Sequence, residues 1–199
     1  MNDFPMVNIA VEGDLDEAVL RKVLGLVGIG IVNIYGKKGK DNLRLNIPRY
    51  NAAAQHGGWV VLADLDRDAE CPPPFILTWL PSRHPNLQLR IAVRAIEAWL
   101  LADRHEIARF LKVSEHRIPL HPEDERNPKA TLISIARNSK SKMIREDVVP
   151  SPKSTATQGP AYTSRIIEFA MNYWNPERAA NSAPSLARSV NSLSRWKIL

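Results

Sequence analysis

Apolar residues follow two rhythms along this chain. Four short, nearly unbroken apolar runs read as buried strands: 6–11 ("MVNIAV"), 29–36 ("IGIVNIYG"), 59–64 ("WVVLAD") and 87–93 ("LQLRIAV"). Between the first two, Leu15, Val19, Leu20, Val23, Leu26 and Val27 fall at helical spacing, so "DLDEAVLRKVLGLVG" reads as a helix. Asp14 can cap it, and acids in the first turn suit the helix dipole. A helix is expected over about 47–57, begun by Pro48 in its first turn. "FILTWLP" reads as a short helix after the prolines at 72–74, and "AIEAWLLAD" opens a helical run.

Strands alternating with helices across short connections predict an α/β fold. The expectation is a central parallel sheet of about four strands, Rossmann-like, with right-handed crossovers. Beyond residue 112 the pattern is helical, with helices near 128–138, 160–173 and 183–195. The stretch "VVPSPKSTATQGPAY" before the second of these reads as a loop. The organisation expected is an α/β domain over 1–112 and a helical C-terminal extension over 113–199 packed on it.

Composition changes this picture little. The chain of 199 residues is 44% hydrophobic and 24% charged, ordinary for a globular protein. No apolar stretch approaches the ~20 residues that span a bilayer. "MNDFPMVNIAVEG" shows no basic leader and no cleavage site. The single cysteine, Cys71, permits no internal disulfide and no cysteine-rich zinc site, and fits a reducing, cytoplasmic setting. The net charge of +6 is uneven: residues 1–112 carry 14 basic and 13 acidic side chains, residues 113–199 carry 13 and 8. Phosphate-rich partners or solubility alone account for such an excess.

The acids carry more information. Ligands of open parallel sheets bind beyond the carboxyl ends of the strands. The first strand ends in Glu12, with Asp14 and Asp16 just beyond; the third ends in Asp64 and Asp66, with Asp68 beyond. Glu97 follows the fourth within a turn of helix. If the first and third strands are neighbours, Glu12, Asp64 and Asp66 converge. Alternation along an extended chain places Asp64 and Asp66 on one side. Carboxylates packed together must protonate or meet a cation. An all-oxygen donor set selects Mg²⁺, Mn²⁺ or Ca²⁺. Asp14, Asp68 and Glu70 read instead as solvated turn and cap residues.

These stretches resemble a known family. "VEGDLDEAVL" resembles the opening of a TOPRIM domain, where a glutamate ends the first strand and an "EGxxD" turn begins the helix; "VVLADLDRD" resembles its DxD strand end. Within that superfamily the chain resembles small proteins related to OLD-type nucleases, which often occur beside ATPases in bacterial defence loci. "DLDRDAECPPPFI", "LRIAVRAIEAWLLAD", "NPKATL", "QGPAYTSRIIEFA" and "NSAPSLARSVNSL" extend the likeness over nearly the whole chain. One departure is Leu15, where Thr is common. The resemblance implies phosphodiester hydrolysis with one or two Mg²⁺ or Mn²⁺ ions. Glu12, Asp64 and Asp66 would be catalytic. Glu12, Asp16, Asp64, Asp66 and Glu97 would be metal ligands. It further implies a nucleic-acid substrate, DNA or RNA, and an ATPase partner. A hydrolase of small phosphate esters or nucleotides, or a non-catalytic nucleic-acid- or protein-binding subunit on the same scaffold, remains open.

Basic residues supply candidates for phosphate. Lys37, Lys38 and Lys40 follow the second strand in "YGKKGK", whose Gly36 and Gly39 can bring backbone N–H groups to an anion. No "GxxxxGK[ST]" loop is present. Lys129 of "NPKATL" lies in the first turn of a helix, where anions are favoured. Lys153, in the loop 151–160, could close over a substrate or sit on a mobile connector; Arg188 and Arg195 share one helix face, read as a solvated face ahead of a nucleic-acid stripe. The five histidines show no metal spacing, and the tryptophans read as core.

Overall fold

The computed structural model describes residues 5–198; residues 1–4, part of the stretch read above for a leader, and residue 199 lie outside it. It has the α/β architecture expected, with one sheet of four strands in the order β2-β1-β3-β4. β1 is Met6–Val11, β2 Gly30–Gly36, β3 Gly58–Asp64 and β4 Leu87–Ala92. Every neighbouring pair is parallel. β3 is central and buried at every position up to Asp64, which is why its sequence is a continuous apolar run rather than an alternation.

Helices cover both faces. α1 (Asp14–Leu26) packs on one face, with Val7, Ile9, Val11, Val60 and Leu62 of the strands. α2 (Lys40–Ala53) and α3 (Pro72–Trp79) pack on the other, with Ala10, Trp59, Val61, Ala63 and Leu65. Successive strand residues therefore point to opposite cores, as the pleat demands. From β1 the chain runs outward to β2, and from β3 it runs the other way to β4. The crevice between the ends of β1 and β3 is thus the point where the winding direction reverses, the usual ligand site of such sheets.

The C-terminal segment joins the α1 face. α4 (Ile96–Ala102) is buried along its whole length, and α5 (Arg104–Leu111) follows it. α6 (Pro128–Ala136), α7 (Lys142–Val148), α8 (Tyr162–Asn172), α9 (Pro176–Ala180) and α10 (Pro184–Ser194) contribute Leu132, Val148, Ile166, Ala179 and Leu186 to the same apolar cluster as β1 and α1. Two indole N–H bonds tie α4 in place: Trp99 Nε1 donates to Ser185 Oγ at 2.7 Å, and Trp174 Nε1 donates to the Trp99 carbonyl at 3.1 Å. Among the described residues no helix is long and apolar enough to cross a membrane.

Four elements differ from expectation. α2 begins at Lys40, not near 47, so Pro48 sits inside a helix. Its missing N–H would serve the carbonyl of Arg44, one turn back on the same exposed face, where water can replace it. α3 begins at Pro72, with the prolines forming its first turn rather than preceding it. α7 and α9 went unread because each is under eight residues and has too few apolar positions to show a period. Both carry a polar start: Ser141 accepts from Ile144 N–H, and Asn175 accepts from Arg178 N–H.

Candidate functional site

The site begins where two strands stop. Glu12 follows β1, and its Oε1 accepts a hydrogen bond from the backbone N–H of Asp64 at 2.9 Å. The two strand ends are thereby locked together, as the adjacency of β1 and β3 requires. Gly13 allows the chain to turn at once into α1, and the Asp16 carboxylate, buried in the first turn, lies close beside it. α4 presents Glu97 in its own first turn, also buried.

Asp64, Asp16, Asp66 and Glu97 line one cavity of ≈ 630 Å³. Asp64 is the residue the fold treats most severely. Its Oδ1 is sealed from solvent and has no hydrogen-bond partner among the described residues. A buried polar atom without a partner costs roughly 1–3 kcal/mol, more when charged. Burial, then the charges of Asp16, Glu97 and Glu12, push its carboxyl well above the ordinary range. Burial, then Glu12 and Glu97, push Asp16 up to about 7. Burial also raises Glu12, partly offset by the Asp64 N–H and Lys40, and raises Glu97, partly offset by Tyr162. This is the electrostatics of a place prepared for positive charge.

Asp66 reaches the cavity by a different route from the one its spacing suggests. The strand ends at Asp64; Leu65 turns into the core and Asp66 takes a left-handed conformation, φ 50°. Its N–H donates to the Arg94 carbonyl at 2.6 Å, and its side chain is half exposed. Asp68, read as a solvated turn residue, lines the same cavity. Lys40 bridges the two, 2.7 Å from Asp66 Oδ2 and 2.7 Å from Asp68 Oδ2. Asp14 stays at the surface, paired with Lys37.

The structure divides the expected phosphate-binding lysines. Lys129 lines the cavity, its Nζ 4.9 Å from the centre of the Tyr162 ring. Lys37 is paired with Asp14 and Glu17 on α1, and Lys40 with Asp66 and Asp68. Lys38 is exposed on the turn. The backbone N–H groups of Lys37 and Gly39 donate to the carbonyls of Val11 and Glu12, so this loop closes on the end of β1 instead of cradling an anion. Gly36 is required there: at φ 89°, a Cβ would meet the Val11 carbonyl oxygen at 2.2 Å.

Four residues of the site escaped the sequence reading. Tyr162, buried at the start of α8, donates its hydroxyl to Glu97 Oε1 at 2.8 Å and fixes that carboxylate. Arg67, Arg94 and Arg126 line the cavity beside Lys129. Arg67 and Arg94 had a signal, their places just beyond the carboxyl ends of β3 and β4. Tyr162 and Arg126 arrive from far along the chain, and no spacing marks them.

The donor set is all oxygen and fits Mg²⁺ or Mn²⁺ rather than zinc. Among the described residues no group of three or more His, Cys, Asp or Glu side chains already closes into a metal cage. A hydrated ion held by one or two carboxylates needs no such cage. Comparison with protein-family models, with curated proteins and with solved structures finds no significant match. The likeness to TOPRIM domains rests on the motifs themselves.

Proposed function

We propose that this chain is a Mg²⁺-dependent phosphodiesterase of TOPRIM type that cleaves nucleic acid. The observation that carries the reading is Asp64: a solvent-sealed carboxylate oxygen without a partner among the described residues, at the switch point of a parallel sheet, its pKa raised by burial and then by the charges of Asp16 and Glu97. Asp64 with Asp16, Asp66 or Glu97 would hold the ion. When bound, the ion supplies charge for the phosphoryl oxygens and acidifies water.

The chain's own groups do the rest. Glu12 sits at the carboxylate end of the crevice with a raised pKa, suited to taking a proton from the attacking water and returning it to the leaving oxygen. Tyr162 holds Glu97 in one orientation. Lys129 brings a positive charge to the cavity, on the first turn of α6 where the helix dipole also favours an anion. The reaction adds water across one P–O ester bond, leaving a phosphomonoester and an alcohol. The resemblance extends the proposal to phage defence alongside an ATPase.

A cavity of ≈ 630 Å³ has the volume of a small-molecule site, which favours hydrolysis of a nucleotide or small phosphate ester as the second reading. Incubation with plasmid, single-stranded DNA, RNA and nucleotides in Mg²⁺ or Mn²⁺ separates the two. Cleavage of polymer that is lost in Glu12→Ala and Asp64→Ala supports the first. Turnover of nucleotides alone supports the second. No turnover of any substrate, with metal bound no tighter than millimolar, rejects both.

A further inference from the structure

Three of the basic side chains around the cavity also line a neighbouring one. A second cavity of ≈ 470 Å³ is lined by Arg67, Ala69, Glu70, Arg94 and Arg126. It shares all three arginines with the carboxylate cavity. The two hollows thus adjoin across the three arginines: on one side these face Asp16, Asp64, Asp66 and Glu97, and on the other they meet a single acid, Glu70.

Each arginine has donors to spare. Arg94 is anchored, its Nη1 donating to the carbonyls of Asp66 at 3.1 Å and Ala69 at 3.0 Å. That contact pins the 66–69 turn and leaves Nε and Nη2 for a ligand. Arg67 and Arg126 make no hydrogen bond and no ion pair among the described residues, although acidic side chains line the same cavity. Elsewhere on this protein arginines beside carboxylates pair with them, as Arg165 does with Asp147 and Glu168, and Arg178 with Asp103. Arg126 also sits directly before Asn127, the cap of α6, so the positive end of that helix's dipole lies beside it. Guanidinium forks next to that positive end suit a phosphate.

We propose that Arg67, Arg94 and Arg126 form a second phosphate subsite, beside the carboxylates, that holds the neighbouring phosphate of a nucleic-acid strand. The proposal rests on the phosphodiesterase reading for the role of the acidic chamber, and it decides between the two substrates left open there. A monophosphate ester needs one seat. A strand places successive phosphates side by side, one over the acids and one over the arginines. Chambers of ≈ 630 and ≈ 470 Å³ suit an unpaired strand threaded through them rather than a duplex gripped across its grooves. Arg67 and Arg126 thereby set specificity for polymer over small ester, and Arg94 positions the 66–69 turn as well as binding.

The test is equilibrium binding of a short fluorescein-labelled single-stranded oligonucleotide to the full chain in EDTA, where hydrolysis does not run. Arg67→Ala with Arg126→Ala should weaken binding about tenfold per arginine. It should also reduce the slope of log affinity against log salt by roughly 1.4, since each phosphate contact on a single strand contributes about 0.7. Arg188→Ala with Arg195→Ala, an equal loss of charge at exposed positions in and just after α10, should leave both unchanged. A self-complementary duplex should bind more weakly than the single strand, and inorganic phosphate should displace the strand only at far higher concentration. An equal loss in both double variants, no loss in either, no binding by the wild type, stronger duplex binding, or phosphate competing mole for mole would each overturn the subsite. Binding that follows this pattern in a protein that cleaves nothing leaves the subsite standing and removes the hydrolytic reading. Cleavage without the arginine dependence does the reverse.

Discussion

Two aspartates with carboxylate oxygens shut away from water are handled in opposite ways. Asp103, between α4 and α5, is 3% exposed, and both its carboxylate oxygens accept hydrogen bonds. It accepts from Arg178 Nε at 3.1 Å and Nη2 at 2.9 Å, and from the backbone N–H of Asn175 at 2.9 Å. Asp64 is sealed at Oδ1, has no ion-pair partner among the described residues, and faces the charges of Asp16, Glu97, Glu12 and Asp66. The first arrangement joins α9 to α4 and answers to stability. The second costs stability, and a fold retains such a cost where a ligand will repay it. Buried charge by itself distinguishes nothing; its partners do.

The sharpest way to break that contrast is at Asp64. Asp64→Asn should reduce cleavage by about 1000-fold, since one displaced ligand of a phosphoryl-transfer ion removes several kcal/mol of transition-state stabilisation. The same change should raise the stability of the metal-free protein at pH 8 by about 1 kcal/mol, because a charge is removed from an unsatisfied site. A urea midpoint that falls would show Asp64 to be structural. Asp103→Ala should do the opposite, costing about 3 kcal/mol in urea while leaving oligonucleotide binding by the residual folded protein intact. Tyr162→Phe lies between them. Removing the donor to Glu97 should weaken Mn²⁺ binding about tenfold in calorimetry and cost about 1 kcal/mol of stability.

The smallest effect is in pH. Asp16 is raised to about 7 when folded, against an unfolded value near 4. The folded protein therefore holds a proton that the unfolded chain has lost, and its stabilisation is complete below about pH 4 and fades as pH rises through 7. Asp64, Glu97 and Glu12 are raised in the same direction. In EDTA the melting temperature should fall between pH 6 and pH 8. Added Mn²⁺ should restore it at pH 8 and do little at pH 6, because ligation needs the carboxylates ionised. A metal-induced shift equal at both values would separate the ion from these acids.

The carboxylate motifs were legible because a strand end followed by acid is a local pattern. Asp64 closes four apolar residues, and Glu12 precedes the glycine that starts α1. The lysines misled for the reverse reason: a run such as "YGKKGK" names charges but not their partners, and Lys37 and Lys40 turn back onto the protein's own acids. Pro48 misled because a proline's cost depends on whether the carbonyl one turn back can meet water, which is a matter of exposure.

By itself the sequence determined the strands, the parallel order of the class and the acids that end β1 and β3, since each is written in consecutive residues by apolar run and turn chemistry. Only the tertiary structure decided that β1 and β3 are neighbours, that Tyr162 meets Glu97 across 65 positions, and that Arg67, Arg94 and Arg126 share a chamber. Those meetings depend on packing helices from the far end of the chain onto one face of the sheet. Non-local burial of this kind has no period along a sequence to announce it.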